Sequence, residues 1–230
     1  MLLHYSNSGD THGDRSRVVG YAAIAFYGDN IMENKSEVKK LFTEKQGKTL
    51  IELARQTIME KLGLEIEKFR ADKLLSELKD EKFKESSGTF VTININGGLR
   101  GCIGNLYSEG TVIDGIRQNA VNAAFNDPRF PPLSESELNR IDIEVSILSV
   151  PQPLDYQNSD ELLDKLRVNL DGVIIKKGFS SATFLPQVWK QLPKKEDFLS
   201  HLCLKAGLPA NEWKKGKPEV LTYQVQYFEE

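Results

Sequence analysis

The chain has 230 residues, enough for one large domain or two small ones. With 40% hydrophobic and 27% charged residues it has ordinary globular composition, which excludes disordered, collagen-like and coiled-coil classes. Thirty basic residues against 33 acidic ones leave a formal net charge of -3, which argues against nucleic acid as the partner.

The first 30 residues differ from the rest. Ser6 to Asp14 is rich in turn residues and reads as a loop. VVGYAAIAFYG, from Val18, reads as a short buried strand or helix without an obvious partner. Its apolar core, Val18 to Phe26, is too short to span a bilayer, and the start of the chain carries no basic n-region ahead of an apolar run as a signal peptide does. No membrane association and a cytoplasmic location are therefore expected. Residues 28 to 37 are polar and read as a linker, which sets a boundary there.

Leu50, Ile51, Ala54, Ile58 and Leu62 recur at helical spacing, with Glu52, Arg55, Gln56 and Lys61 expected on the opposite face and Gly63 as the stop. A second, weaker helical pattern surrounds Leu74, Leu75 and Leu78. TFVTININ, residues 89 to 96, alternates and is β-branched, so it reads as a strand. Gly97-Gly98 signals a hairpin, with LRGCIG running back. Residues 111 to 125 form an amphipathic helix. NDPRFPPL, residues 126 to 133, must be a loop, because three prolines in five residues forbid a helix. Ser134 and Glu137 have the spacing of a capping box, with Leu133 and Leu138 placed as a hydrophobic staple. IDIEVSIL then alternates as a half-buried strand.

Further on, a short helix is expected over residues 160 to 167. GVIIKKG and ATFLP read as a hairpin turning at Gly178. Phe198, Leu199, Leu202 and Cys203 share a helical face ended by Gly207. Leu221, Tyr223, Val225 and Tyr227 alternate in a C-terminal strand. Strands in hairpins with helices between them predict an α+β fold with mostly antiparallel pairing.

The densest chemical signal is LRGCIGNL. Gly101 and Gly104 bracket Cys102, and glycine permits close approach of a ligand or another segment. On a regular strand Arg100 and Cys102 share a face. A guanidinium there would raise the thiolate fraction. Two readings stand: a nucleophilic or ligand-contacting cysteine beside an anion-binding arginine, or a small buried thiol at a tight turn. The chain has two cysteines, too few for a disulfide framework. It has three histidines, His4, His12 and His201, and nothing in the sequence places one near Cys102 as its base. No CxxC, HxxxH, HExxH, Walker or GxGxxG pattern occurs, so no metal and no cofactor are indicated. Asp142 and Glu144 read as the solvated face of their strand rather than as a carboxylate pair. In the proline-rich loop, Asn126, Asp127 and Arg129 are held stiffly. Arg129 would meet an anionic ligand or pair with Asp127.

Six stretches in order, LRGCIGNL, NAAFNDPRFPPLSESEL, IDIEVSILSVPQPL, DGVIIKKG, TFLPQVW and FLSHLCLKAGLP, make residues 38 to 230 resemble an AMMECR-type domain. HYSNSGDTHGDRSRVVGYAAIAFYG, within residues 1 to 37, resembles the C-terminal tail of the Memo family. That resemblance puts the Memo metal ligands upstream of residue 1, so no site is carried onto His4 or His12. The AMMECR resemblance implies two unequal lobes, each a mostly antiparallel sheet with helices, the larger holding both domain ends, with LRGCIG near a cleft between them. It also implies Memo-like and radical-SAM partners and an unidentified small-molecule ligand.

On this reading Cys102 is the catalytic candidate, and Arg100, Gly101, Gly104, Asn126, Asp127 and Arg129 are candidates for substrate binding. An enzyme or enzyme component competes with a non-catalytic adaptor. An RNA-associated regulator is disfavoured by the acidic balance.

Overall fold

A computed structural model describes residues 41–107 and 110–230, together with two short paired strands, β1 (Tyr5–Asn7) and β2 (Gly20–Ala22). Ser6 and Asn7 thus lie in a strand, not in the expected loop, because they pair antiparallel with Tyr21 and Gly20. Within the run from Val18, Gly20–Ala22 is a strand, one of the two readings of that run, and its partner is β1; the linker, His4 and His12 fall outside the described residues.

The chain is α+β and divides into two units. The larger is built on α1 (Glu44–Lys61), α2 (Lys68–Glu77), β3 (Thr89–Ile95), β4 (Gly98–Asn105), α3 (Val112–Phe125), β5 (Ile141–Leu148) and β10 (Val225–Glu229). Its sheet has the order β10-β5-β3-β4, which leaves β4 at an edge. α1 starts at Thr43, whose side chain caps the Gln46 N–H, and ends in a Schellman motif. There Gly63 takes a φ of 76°, and the N–H groups of Gly63 and Leu64 reach the carbonyls of Glu60 and Met59.

Leu50, Ile51, Ala54 and Ile58 are buried as the spacing predicts. Gln56 departs from it. It is buried rather than outward, because its amide donates to Glu52 at 2.7 Å and is thereby satisfied. In α2, Leu74 and Leu78 are buried while Leu75 is exposed. Val91 and Ile93 of β3, and Ile143, Val145 and Ile147 of β5, join Ile116, Ala120 and Ala123 of α3 in one core. The alternation that buries those strand residues turns Phe90, Thr92 and Asn94 to the other face.

The smaller unit carries β6 (Gln152–Pro153), α4 (Ser159–Lys165), β7 (Gly172–Lys177), β8 (Ser180–Phe184), α5 (Lys195–Lys205), α6 (Glu212–Lys215) and β9 (Glu219–Tyr223), with sheet order β6-β9-β7-β8. The predicted face of α5 is entirely buried. Phe198 stacks on Trp189 at 3.6 Å, and the Trp189 indole donates to the Asp171 carbonyl at 2.7 Å, so the ring's polar edge is satisfied. Among the described residues no helix is long and apolar enough to cross a membrane.

One prediction fails in an instructive way. The alternating run from Leu221 to Tyr227 is two strands, not one. β9 belongs to the sheet of the smaller unit and β10 to that of the larger. The phase of burial breaks between them: Leu221 and Tyr223 are buried, but in β10 it is Phe228 that is buried and Tyr227 that is exposed.

Candidate functional site

The β3–β4 hairpin turns at Asn96 and Gly97, with φ of 52° and 75°, not at Gly97-Gly98. Two consecutive positive φ values are the signature of a I′ turn. From that turn the register runs Ile95 opposite Gly98 and Asn94 opposite Leu99, and then jumps to Ile93 opposite Gly101. Arg100 is the extra residue of a β-bulge.

The bulge overturns the expectation that Arg100 and Cys102 share a face. Leu99 takes the position on Cys102's face. The Arg100 guanidinium goes instead to Glu137, donating from Nε at 2.7 Å and Nη2 at 3.2 Å. Glu137 also reaches back to the Ser134 N–H at 2.9 Å, as the capping-box spacing predicts. Leu133 and Leu138 are both buried as the staple requires.

Cys102 lies directly opposite Thr92, and Thr92 directly opposite Glu144, so the three form a row across β4, β3 and β5. The Thr92 hydroxyl is 3.3 Å from the Cys102 sulfur and donates to it. The backbone of Cys102 points the other way, off the sheet edge. Its N–H donates to Asp127 Oδ2 at 2.9 Å, and its carbonyl accepts from Arg129 Nη2 at 3.1 Å. An edge strand's outward peptide groups are otherwise open to pairing with another chain.

Asp127 and Arg129 are in turn bound to each other, Arg129 Nη2 at 2.6 Å and Nε at 2.9 Å from the carboxylate. Of the two alternatives left by the sequence, Arg129 pairs with Asp127. Both Arg100 and Arg129 lie near the Phe130 ring, at 5.9 and 5.5 Å from its centroid.

These placements set the charges. Burial alone would push the Asp127 carboxyl up, but the bonds from Arg129 and from the Cys102 N–H outweigh it and hold it below the ordinary carboxylate range. Burial pushes the Cys102 thiol up, against the smaller pull of the Thr92 hydroxyl and the Arg129 charge, while the charges of Glu144 and Asp127 push the same way as burial. The guanidinium whose charge reaches this cysteine is therefore Arg129, and its pull is smaller than the push of burial.

Of the remaining candidates, the two glycines lie beside the row. A Cβ on Gly101 would stand 2.1 Å from the Ala123 carbonyl oxygen, so the glycine lets α3 close on the sheet edge. Gly104 lies under the Phe90 ring, which a Cβ would meet at 2.1 Å. Asn126 is exposed and bonded to Asn122 at 2.9 Å, away from the row. His201 is exposed, with Nδ1 2.8 Å from the Asp197 carbonyl. Among the described residues no group of three or more His, Cys, Asp or Glu side chains is placed to hold a metal. Thr92 is the residue that sequence reasoning missed. Its period-2 phase was legible, but its pairing with Cys102 depends on the bulge.

The Arg100–Glu137 pair carries a pH prediction. The Arg100 bonds, helped by the Ser134 N–H and hydroxyl and opposed by burial, lower the Glu137 carboxyl from its ordinary 4.5 to about 2. A carboxyl depressed on folding stabilises the fold above its unfolded value, and that stability is lost as pH falls from about 4.5 towards 2. Glu137→Gln is expected to cost about 1–2 kcal/mol at neutral pH and to flatten this acid limb. Urea titrations between pH 2 and 7 (roughly the window of this linkage) check it. An unchanged acid limb would refute the assignment.

The chain is 37% identical over 197 residues to protein Mbar_A1807 of Methanosarcina barkeri, covering 83% of this chain and 93% of that protein. It is 35% identical over 198 residues to protein MJ0810 of Methanocaldococcus jannaschii, covering 83% and 93%. The crystal structure of the uncharacterised protein PH0010 from Pyrococcus horikoshii is similar with a TM-score of 0.67 at 33% identity, over 83% of this chain and 94% of that one. Residues 51–228 match the AMMECR1 family. The match starts after the first 37 residues and leaves their Memo-like reading without support. It spans the bulged hairpin, the Asp127–Arg129 loop and both four-stranded sheets, and on that evidence the chain belongs to the AMMECR1 family.

Proposed function

We propose that the chain is a binding component, whose contact surface is the sheet face carrying Glu144, Thr92 and Cys102, and that Cys102 serves there as a neutral thiol rather than as a nucleophile. The observation that carries this is the thiol's environment. A cysteine nucleophile needs a depressed pKa or an adjacent base. Here burial pushes the thiol up, and the nearby guanidinium is engaged by Asp127. Thr92 and Glu144 supply hydrogen-bonding groups in register with the sulfur. Arg100, Gly101, Gly104, Asp127 and Arg129 position the strand. Memo-like and radical-SAM proteins, with an unidentified small molecule, are the partners proposed for this surface.

The test is the rate of Cys102 alkylation by iodoacetamide against pH, read by peptide mapping with the fully buried Cys203 as internal reference. Slow reaction with a midpoint above that of a free thiol, about 8.5, is expected. Fast reaction with a midpoint at or below neutral pH would reinstate a catalytic cysteine. Leu99 shares Cys102's face and is only half-buried, whereas Ile103 packs against the core. Leu99→Asp is thus the variant that separates loss of partner binding from loss of fold, in titrations with a purified Memo-like or radical-SAM protein.

A further inference from the structure

The smaller unit carries an aromatic that its fold does not use. β7 and β8 are joined by a two-residue turn, Gly178-Phe179, closed by the Lys177–Ser180 pair. Only Gly178 has a positive φ, 58°, which is the pattern of a II′ turn. The second position of that turn has no use for an aromatic, yet it holds Phe179, whose relative exposure is 109%.

The surroundings are basic. Lys176 and Lys177 precede the turn. The Lys177 amine is bonded to Glu212, which brings α6 to the same end of the sheet. Lys214 and Lys215 on α6 and Lys217 just after it are exposed. Two of the glutamates at this end are engaged, Glu212 by Lys177 and Glu161 by Lys165 at 2.7 Å, and Glu219 stands opposite Lys176 in the β7–β9 register. The end therefore carries an excess of positive charge around a protruding apolar side chain.

We propose that this hairpin tip is a peripheral docking surface for an anionic lipid bilayer, with Phe179 entering the boundary between headgroups and acyl chains and Lys214, Lys215 and Lys217 at the headgroups. A convex tip with one apolar side chain and a diffuse basic surround fits a deformable charged surface. A single-stranded nucleic acid would call for a groove with several stacking aromatics, and the tip offers one. Nothing in this inference depends on the reading of Cys102.

The test is co-sedimentation of the full chain with vesicles of phosphatidylcholine and phosphatidylglycerol, against vesicles of phosphatidylcholine alone. Binding to the mixed vesicles only is expected, weakening as salt is raised. Phe179→Ser should lower the affinity about tenfold. Lys214→Glu with Lys215→Glu should lower it by more, since each lysine at the surface contributes about a fivefold factor. Both variants change exposed side chains, so an unchanged thermal midpoint certifies the fold. Absence of binding, equal binding to both vesicle types, or binding indifferent to both variants overturns the proposal. So does binding of a single-stranded oligonucleotide that needs the same residues in a protein that ignores vesicles.

Discussion

Asp127→Ala is expected to lower the stability of the protein by about 3–5 kcal/mol. The Asp127 side chain is 1% exposed and that of Arg129 18%. The carboxylate accepts from the Arg129 side chain, the Arg129 N–H and the Cys102 N–H. Removing it takes the countercharge from a guanidinium that keeps its bond to the Cys102 carbonyl and leaves an edge-strand N–H without its acceptor, and the cost is that of those losses rather than of the bonds themselves. The same logic predicts that the double variant Asp127→Ala/Arg129→Ala costs less than the two single variants combined. Urea midpoints of the four proteins, at constant slope, give the cycle. A single-variant cost below about 1 kcal/mol, the level of an exposed pair, would show that the pair does not hold the edge strand.

Gly101→Ala has the second large expected effect, a loss of about 3 kcal/mol or more. The added methyl would stand 2.1 Å from the Ala123 carbonyl oxygen, and the other atoms it meets, at 3.0 and 3.7 Å, are also backbone of the α3 end. A side chain in the way can rotate; a helix terminus cannot, so either α3 or β4 must move. Gly98→Ala on the same strand is the control. Its Cβ meets only the Ile95 carbonyl oxygen, at 3.4 Å, and its effect should lie within about 0.5 kcal/mol. Thermal melts of both decide it, and equal costs would remove the close approach as the reason for the glycine.

NDPRFPPL announced itself as a stiff loop, and Asp127 with Arg129 as one of its possible pairs, because proline content and i,i+2 spacing are local properties. What that pair holds was not legible, since Cys102 is 25 residues away along the chain. The hairpin shows the same limit. A two-residue turn at Asn96-Gly97 without a bulge would set Thr92 opposite Gly101. One unpaired residue, Arg100, moves Cys102 into that place and sends the arginine to Glu137. A bulge depends on what surrounds the strand edge, and no propensity marks it.

The split of the C-terminal run between β9 and β10 has the same origin. Both halves alternate well, and either would satisfy a sheet, so periodicity cannot say which one receives each. By itself, the sequence determined the things that depend on neighbours in the chain. These are the α+β class, the helices with their glycine stops at Gly63 and Gly207, the half-buried strands, the capping box at Ser134 and Glu137 with its staple at Leu133 and Leu138, and the weight of signal on LRGCIG and NDPRF. Only the tertiary structure decided strand order, the bulge, and the partner of each charge. Those turn on contacts between distant segments, where a shift of one residue in register moves a side chain to the other face of the sheet. It is that shift which separates a Cys102 on the face of Arg100 from a Cys102 aligned with Thr92, its backbone clamped by Asp127 and Arg129.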